Sequence, residues 1–392
     1  MTTPSMIAGR PPIRLTRGVP AVESFPIAQL SECAQVALAE HGPAVLQYGP
    51  ARGFQPLRGL IAAEHGVSDT AVLLGHGSLL LQDFCARALL GPGKLAYVEE
   101  PSYDRAITVL RRVGAQVVGI PLQSDGPDVE LLERRLRQGE RPTLFYMIPD
   151  FQNPSGTLLS LARRQRIVAL AAEYDFWIIE DAPYRKLRYR GADLPTLFEL
   201  SPERVFAMSS YSKLISPGLR VGYVVIPEPH VGQLVQMAEA TYINASYLNQ
   251  AIVYQFIQKG WLEPNIASLK ALYAPRLDAM LAALDEQMAD LASWVRPDGG
   301  FFIGMTLDKP IAAEALLAAA RNAGLELTDG RGFFANGGGD AFVRLPFCAL
   351  TPAEIHEGVR RLAGVIRELQ YPVDHNAQAG SVIRRVMDPL GA

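Results

Sequence analysis

One of only six lysines in the chain, Lys213, stands in a run whose residue types suit covalent chemistry: Ser209-Ser210-Tyr211-Ser212-Lys213-Leu214-Ile215-Ser216-Pro217-Gly218-Leu219-Arg220. An amine that attacks a carbonyl must first shed its proton, and burial together with a nearby cation lowers its pKa. Ser210, Ser212 and the Arg220 guanidinium all donate hydrogen bonds, and the arginine also neutralises charge, which suits a phosphate. The run reads as a Schiff-base lysine beside a phosphate clamp. A solvated loop holding one lysine and one arginine is the plainer alternative.

Other residues fall at positions where ligands bind. Asp181 ends the apolar run Trp177-Ile178-Ile179-Glu180, and ligands of open α/β sheets gather at the carboxyl ends of strands. Asn153 stands in Gln152-Asn153-Pro154-Ser155-Gly156, where proline and glycine fix a tight turn that aims the amide. Gly75-His76-Gly77-Ser78-Leu79 joins a short strand to a helix, and the amides of a helix start attract an anion. Arg344, in Val343-Arg344-Leu345, offers a planar fork that matches a carboxylate.

The lysine run, completed by Val221 and Gly222, resembles the motif S-x-S-K-x-x-x-P-G-L-R-x-G of the class I/II aminotransferases of fold type I. The resemblance extends from about residue 17 to about residue 369. It implies pyridoxal 5'-phosphate as cofactor, joined to Lys213 as a Schiff base, with Ser210, Ser212 and Arg220 on the phosphate. Ser78 and the amides of Gly77 and Leu79 are implied to share that phosphate. Asp181 would keep the pyridine nitrogen protonated, Asn153 and Tyr184 would face the phenolate oxygen, and Tyr103 would stack on the ring. Lys213, Asp181 and Tyr184 form the implied catalytic set. Arg344 is implied as the anchor of the substrate α-carboxylate, with Asn153 beside it, and Gly18 belongs to an N-terminal segment that closes over substrate. Tyr48, in Tyr48-Gly49-Pro50-Ala51-Arg52-Gly53, is implied to reach the phosphate of a neighbouring subunit, hence a homodimer with shared sites. Phe333-Phe334-Ala335-Asn336-Gly337-Gly338-Gly339 is similar to the 2-aminoadipate and kynurenine branch of the family. One departure stands out: Gly77-Ser78-Leu79-Leu80 replaces the usual Gly-Ser-Gln-Gln, so a side-chain contribution at position 79 is lost.

The expected reaction moves the amino group of an L-amino acid to a 2-oxo acid, with 2-oxoglutarate the expected acceptor. A second substrate carboxylate needs a further cation, for which Arg14, Arg17, Arg52 and Arg185 are the candidates. Tyr103, Phe151, Tyr242 and Phe347 are expected near the site, where they would tolerate large apolar side chains. The alternative is another pyridoxal-phosphate reaction on the same fold, by a decarboxylase, β-lyase or oxidase. A non-catalytic cofactor-sensing regulator is a weaker one, since too few residues precede Tyr48 for a DNA-binding unit.

These residues need a scaffold, and the sequence outlines one. Short β-branched or aromatic runs at 72–74, 95–98, 117–120, 144–148, 177–180, 205–208 and 223–226 alternate with helical patterns at 79–90, 105–112, 129–137 and 160–174. Apolar runs without strict alternation are strands buried on both faces, so the expected fold is α/β: a three-layer, mostly parallel sheet. Helices are expected at 231–242, 248–260 and 265–288, then strand, helix, strand and helix at 300–307, 311–323, 341–345 and 353–369. The division that follows is a segment 1–45 belonging to a small α/β domain, a large cofactor-binding domain 46–285, the rest of the small domain 286–370, and a tail 371–392.

Composition excludes other classes. With 49% hydrophobic and 20% charged residues the chain is neither disordered nor fibrous. A net charge of −3 without basic runs argues against nucleic acid or an anionic membrane as partner. Three scattered cysteines support neither a disulfide framework nor a zinc site, so no metal is expected. No apolar stretch approaches the roughly 20 residues of a membrane span, and the N-terminus lacks a signal-peptide core, so a cytoplasmic enzyme is expected.

Overall fold

The computed structural model describes residues 12–16 and 18–371; Arg17 and the expected tail beyond Tyr371 lie outside them. Strand β1 (Ile13–Leu15) leads to helices α1 (Ile27–Leu46) and α2 (Gln55–His65). Alternation follows: β2 (Val72–His76), α3 (Ser78–Leu89), β3 (Leu95–Glu100), α4 (Asp104–Arg112), β4 (Gln116–Gln123), β5 (Gly126–Pro127) and α5 (Val129–Arg137). It continues with β6 (Pro142–Met147), α6 (Leu161–Tyr174), β7 (Trp177–Asp181), α7 (Leu197–Leu200), β8 (Val205–Ser210) and β9 (Val221–Val225). Helices α8 (Val231–Tyr242), α9 (Tyr247–Gln258) and α10 (Leu262–Gln287) come next. The chain ends with β10 (Ala292–Trp294), β11 (Phe302–Leu307), α11 (Ala313–Asn322), β12 (Leu325–Leu327), β13 (Phe342–Pro346) and α12 (Pro352–Gln370).

Eight strands form the central sheet in the order β2-β9-β8-β7-β6-β3-β4-β5. From β8 through β4 all neighbours are parallel, while β9 runs antiparallel to β8 and to β2. The middle strands are apolar on both faces, because helices cover both: β9 is buried throughout, and β6 and β7 nearly so. The covering helices are amphipathic and delimited by local chemistry. In α5, Leu132 and Leu136 are buried, and Asp128 caps the start by accepting from the Leu131 amide at 2.8 Å. Helix α6 starts at the Ser160 cap and stops where Asp175 turns left-handed at φ 57.

All seven strands expected between 72 and 226 are present, with ends shifted by a few residues, as are the four helices among them. Helices α1 and α2 were not foreseen. Helix α1 buries only Cys33, Ala37 and Val45, too little to give an apolar stripe, and it packs along α9. At the other end β1 pairs in parallel with β12, and β10, β11 and β13 form an antiparallel sheet, with α10 lying against α12. Among the described residues no helix is long and apolar enough to cross a membrane, and no cluster of metal-ligating side chains occurs.

Candidate active site

Strands β6, β7 and β8 end side by side, and the segments leaving them border a cavity of about 430 Å³. Gly18, Ser78, Leu79, Tyr103, Asn153 and Asp181 line it, as do Tyr184, Ser210, Ser212, Lys213, Arg220 and Arg344. The tertiary fold therefore brings together residues that span most of the sequence.

One end of the cavity suits an anion. Helix α3 begins at Ser78 with no side-chain cap from Gly77, which leaves its first amides without a side-chain partner. Gly77 has φ +82, and a Cβ there would lie 2.4 Å from Arg220 Nη2, so glycine alone lets the guanidinium lie against the backbone. Arg220 donates to the His76 carbonyl at 3.1 Å. Ser210 Oγ lies 2.9 Å from Ser212 Oγ. Two hydroxyls, a guanidinium and a helix start thus converge.

The middle of the cavity holds a carboxylate in an unusual state. Asp181 is buried; its Oδ2 accepts from the Tyr146 hydroxyl at 2.8 Å, and its Oδ1 has no partner. Burial raises its pKa to about 6, and the Tyr146 hydrogen bond opposes the rise. A buried carboxylate oxygen without a partner is costly, so a protonated ring nitrogen arriving there gains both a hydrogen bond and an ion pair. Lys213 lines the same cavity, and its Nζ donates to the Gly18 carbonyl at 2.8 Å. Burial lowers its pKa to about 8, with Arg344 and Arg220 adding to the effect and Cys348 opposing it. Tyr103 is pushed up to about 12 by burial and by the nearby carboxylates Asp104 and Asp181, so it remains a neutral phenol.

The third part of the cavity belongs to Arg344 on β13. Its guanidinium lies between the rings of Phe302 and Phe333, 4.8 and 4.7 Å from their centroids. Nη1 donates to Asn153 Oδ1 at 3.0 Å, Nη2 donates to the Thr16 carbonyl at 2.6 Å, and the buried Nε has no partner. The Asn153 oxygen is held in this way, which leaves its amide N–H groups to other partners.

Several expected positions lie elsewhere. Gly77 supports Arg220 from behind the wall, and Tyr48 is 75% exposed and apart from the cavity of its own chain. Arg14 points away because β1 alternates: Ile13 and Leu15 face inward, and Arg14 pairs with Glu326 on the outside. Arg52 is not on the wall, and Arg185 borders a second cavity and faces Asp150. Phe151 is buried beneath the Arg188 guanidinium, Tyr242 packs on His76 and Phe84, and Phe347 is in the core, so none of the three reaches the cavity. Tyr146, Phe302, Phe333 and Arg105 are functional neighbours that sequence reasoning missed. Tyr146 and Phe302 sit in strand runs that read as ordinary core, and only the sheet register puts them beside Asp181 and Arg344.

Pyridoxal 5'-phosphate fits this set. The orphaned Asp181 oxygen would suit its protonated ring nitrogen, the glycine-floored cradle of Ser78, Ser210, Ser212 and Arg220 would suit its phosphate, and Lys213 would suit its aldehyde. Fold and cavity thus define a cofactor-dependent enzyme of amino-acid chemistry. The family model described as aminotransferase class I and II matches residues 11–362, and the chain belongs to that family. It is 37% identical to the 2-aminoadipate transaminase of Thermus thermophilus over 90% of this chain and 89% of that one. It is 34% identical to aromatic-amino-acid aminotransferase 1 of Thermococcus litoralis, over 91% of this chain and 88% of that one. The crystal structure of the α-aminoadipate aminotransferase of Thermus thermophilus, complexed with N-(5'-phosphopyridoxyl)-L-leucine, matches with a TM-score of 0.88 at 36% identity, covering 92% and 94% of the two chains. The protein is a pyridoxal-phosphate-dependent transaminase of fold type I, acting on an amino acid and a 2-oxo acid.

Proposed function

We propose that the enzyme transfers the amino group of an L-amino acid to 2-oxoglutarate, with Lys213, Asp181 and Tyr184 as its catalytic residues. Bound in the cavity, pyridoxal 5'-phosphate supplies the electron sink that makes the substrate Cα–H acidic, and it carries the amino group between the two acids. The observation that carries the reading is the unpartnered, buried Asp181 Oδ1 in a cavity that also holds Lys213 and Arg344. Asp181 holds the ring-nitrogen proton. Ser78, Ser210, Ser212 and Arg220, with the backbone at Gly77 and Leu79, bind the phosphate, and this backbone contribution accommodates Leu79. Tyr103 stacks on the ring, while Asn153 and Tyr184 donate to its phenolate oxygen. Arg344 binds the α-carboxylate, Gly18 closes over it, and the Lys213 amine moves the Cα proton.

The acceptor assignment draws on Arg105. Among the described residues the cations lining the cavity are Arg105, Lys213, Arg220 and Arg344, and only Arg105 is without a role above. It lies in the first turn of α4 with an exposed side chain, its Nε 3.6 Å from Asp104. Arg105 receives the distal carboxylate of 2-oxoglutarate. Tyr48, exposed in the single chain, reaches the phosphate of a partner subunit in a homodimer. The domain division of the sequence analysis and a cytoplasmic location belong to the same reading; the location is supported by three buried, unpaired cysteines. The test is a half-reaction screen: each amino acid is mixed with the holoenzyme while the near-visible band is followed, then 2-oxoglutarate is added. Conversion that stops at one equivalent and is reversed by 2-oxoglutarate supports the reading. Continued oxo-acid or carbon dioxide release without an acceptor overturns it.

A further inference from the structure

Gln152 precedes Asn153 and is 1% exposed, and every polar atom of its side chain is engaged. Nε2 donates to the Pro101 carbonyl at 2.8 Å and lies 3.3 Å from Glu99 Oε2. Oε1 accepts from the Ser155 amide at 2.9 Å and from Ser155 Oγ at 2.7 Å. Glu99 Oε2 also accepts from the Ile148 amide at 2.9 Å, which joins the end of β3 to the segment leaving β6. Pro101 lies two residues before Tyr103, and Ser155 lies two residues after Asn153. One amide therefore ties the segment that carries the stacking tyrosine to the turn that carries the asparagine. That asparagine in turn accepts from Arg344 Nη1 at 3.0 Å.

We propose that Gln152, anchored by Glu99, is a positioning residue that holds Tyr103 and Asn153 in register across the cofactor. The inference rests on the roles given above to those two residues. The bonding pattern requires a group that donates on one side and accepts on the other, which an amide does and neither an ionised carboxylate nor a thioether can. Losing the donor side leaves the half-buried Pro101 carbonyl and the buried Glu99 without that partner and releases the two segments from each other.

The experiment compares holoenzyme carrying Gln152→Glu, Gln152→Met or Asn153→Ala with the wild type. It reads kcat and KM, the pH midpoint of the near-visible absorption, and the affinity of the apo-protein for pyridoxal 5'-phosphate. Above pH 8, where the facing Glu99 has also released its proton and cannot share it, Gln152→Glu is expected to lower kcat roughly 10²-fold, the scale of a small misplacement of catalytic groups. Its absorption midpoint moves in the same direction as that of Asn153→Ala. At acidic pH its kcat, relative to wild type at the same pH, recovers because the protonated carboxyl donates again; Gln152→Met shows the losses without the recovery. If Asn153→Ala moves the midpoint and the folded Gln152 variants do not, the brace is wrong and the Asn153 role stands. If Asn153→Ala leaves the midpoint unmoved, the Asn153 role fails and the brace fails with it. Should the Gln152 variants not fold, Ser155→Ala, which deletes one bond onto Oε1, must give a smaller midpoint shift of the same sign; no shift overturns the proposal.

Discussion

A lysine captures an aldehyde only as the free amine, and burial beside two arginines brings Lys213 from 10.5 to about 8. Adduct formation between the apo-protein and pyridoxal 5'-phosphate should therefore rise with pH through a midpoint near 8. Lys213→Ala should give no near-visible band, no borohydride-trapped adduct and no turnover. The partner of Asp181 makes a second case. Tyr146→Phe removes the hydrogen bond on Oδ2 and leaves both carboxylate oxygens unpartnered before the cofactor binds. Hydrogen bonds to charged groups are worth about 1.5–3 kcal/mol, so kcat should fall by at least about tenfold in steady-state assays, with the fold intact by circular dichroism. Lys213, Asp181, Asn153, Arg220 and Arg344, which line one cavity, were singled out by short strand-end and turn motifs and by the family resemblance those motifs carry. Tyr146 could not be, since a phenol in an apolar run looks the same whether or not a carboxylate faces it.

At the scale of elements, the orientation of Arg344 depends on packing across the small sheet. Phe302 on β11 and Phe333 in the turn Gly330–Phe333 hold the Arg344 guanidinium between their rings, which fixes the plane of its fork. A cation–π contact contributes about 0.5–2 kcal/mol, so Phe333→Leu should raise KM for the amino acid between about twofold and about thirtyfold. Kinetics with a fixed acceptor would check this, and kcat should change less than KM. Strands and helices with a strong period were readable from the sequence, whereas α1 was not, because its buried positions are few and small. The outward direction of Arg14 was also hidden, since it follows from the pairing of β1 with β12.

For the molecule as a whole, the buried carboxyl groups set the dependence of stability on pH. Burial raises Asp181 from 3.8 to about 6, Glu180 from 4.5 to about 7 and Glu99 from 4.5 to about 8. Between the unfolded and folded values the native apo-protein keeps protons that the unfolded chain has released. The stability from these groups is therefore fully present below pH 3.8 and is lost as pH rises from there to about 8. Thermal unfolding of apo-protein should show this slope, and Asp181→Asn should flatten its lower part. Assembly gives another test. If Tyr48 serves the neighbouring site, mixing inactive Tyr48→Ala and Lys213→Ala subunits under conditions of exchange restores activity, because each hybrid contains one intact site. No recovery in demonstrated hybrids would exclude the shared site.

By itself the sequence determined the layered α/β plan, the lysine run with its two serines and arginine, and the carboxylate at a strand tip. Those features are written in local residue types and in periods that survive without any partner in space. Tertiary structure alone decided which oxygen of Asp181 is left without a partner, which rings enclose Arg344, and which arginine borders the cavity in place of Arg14, Arg52 and Arg185. These are contacts between segments far apart in the chain, fixed by strand register and helix packing, and no short window of sequence records them.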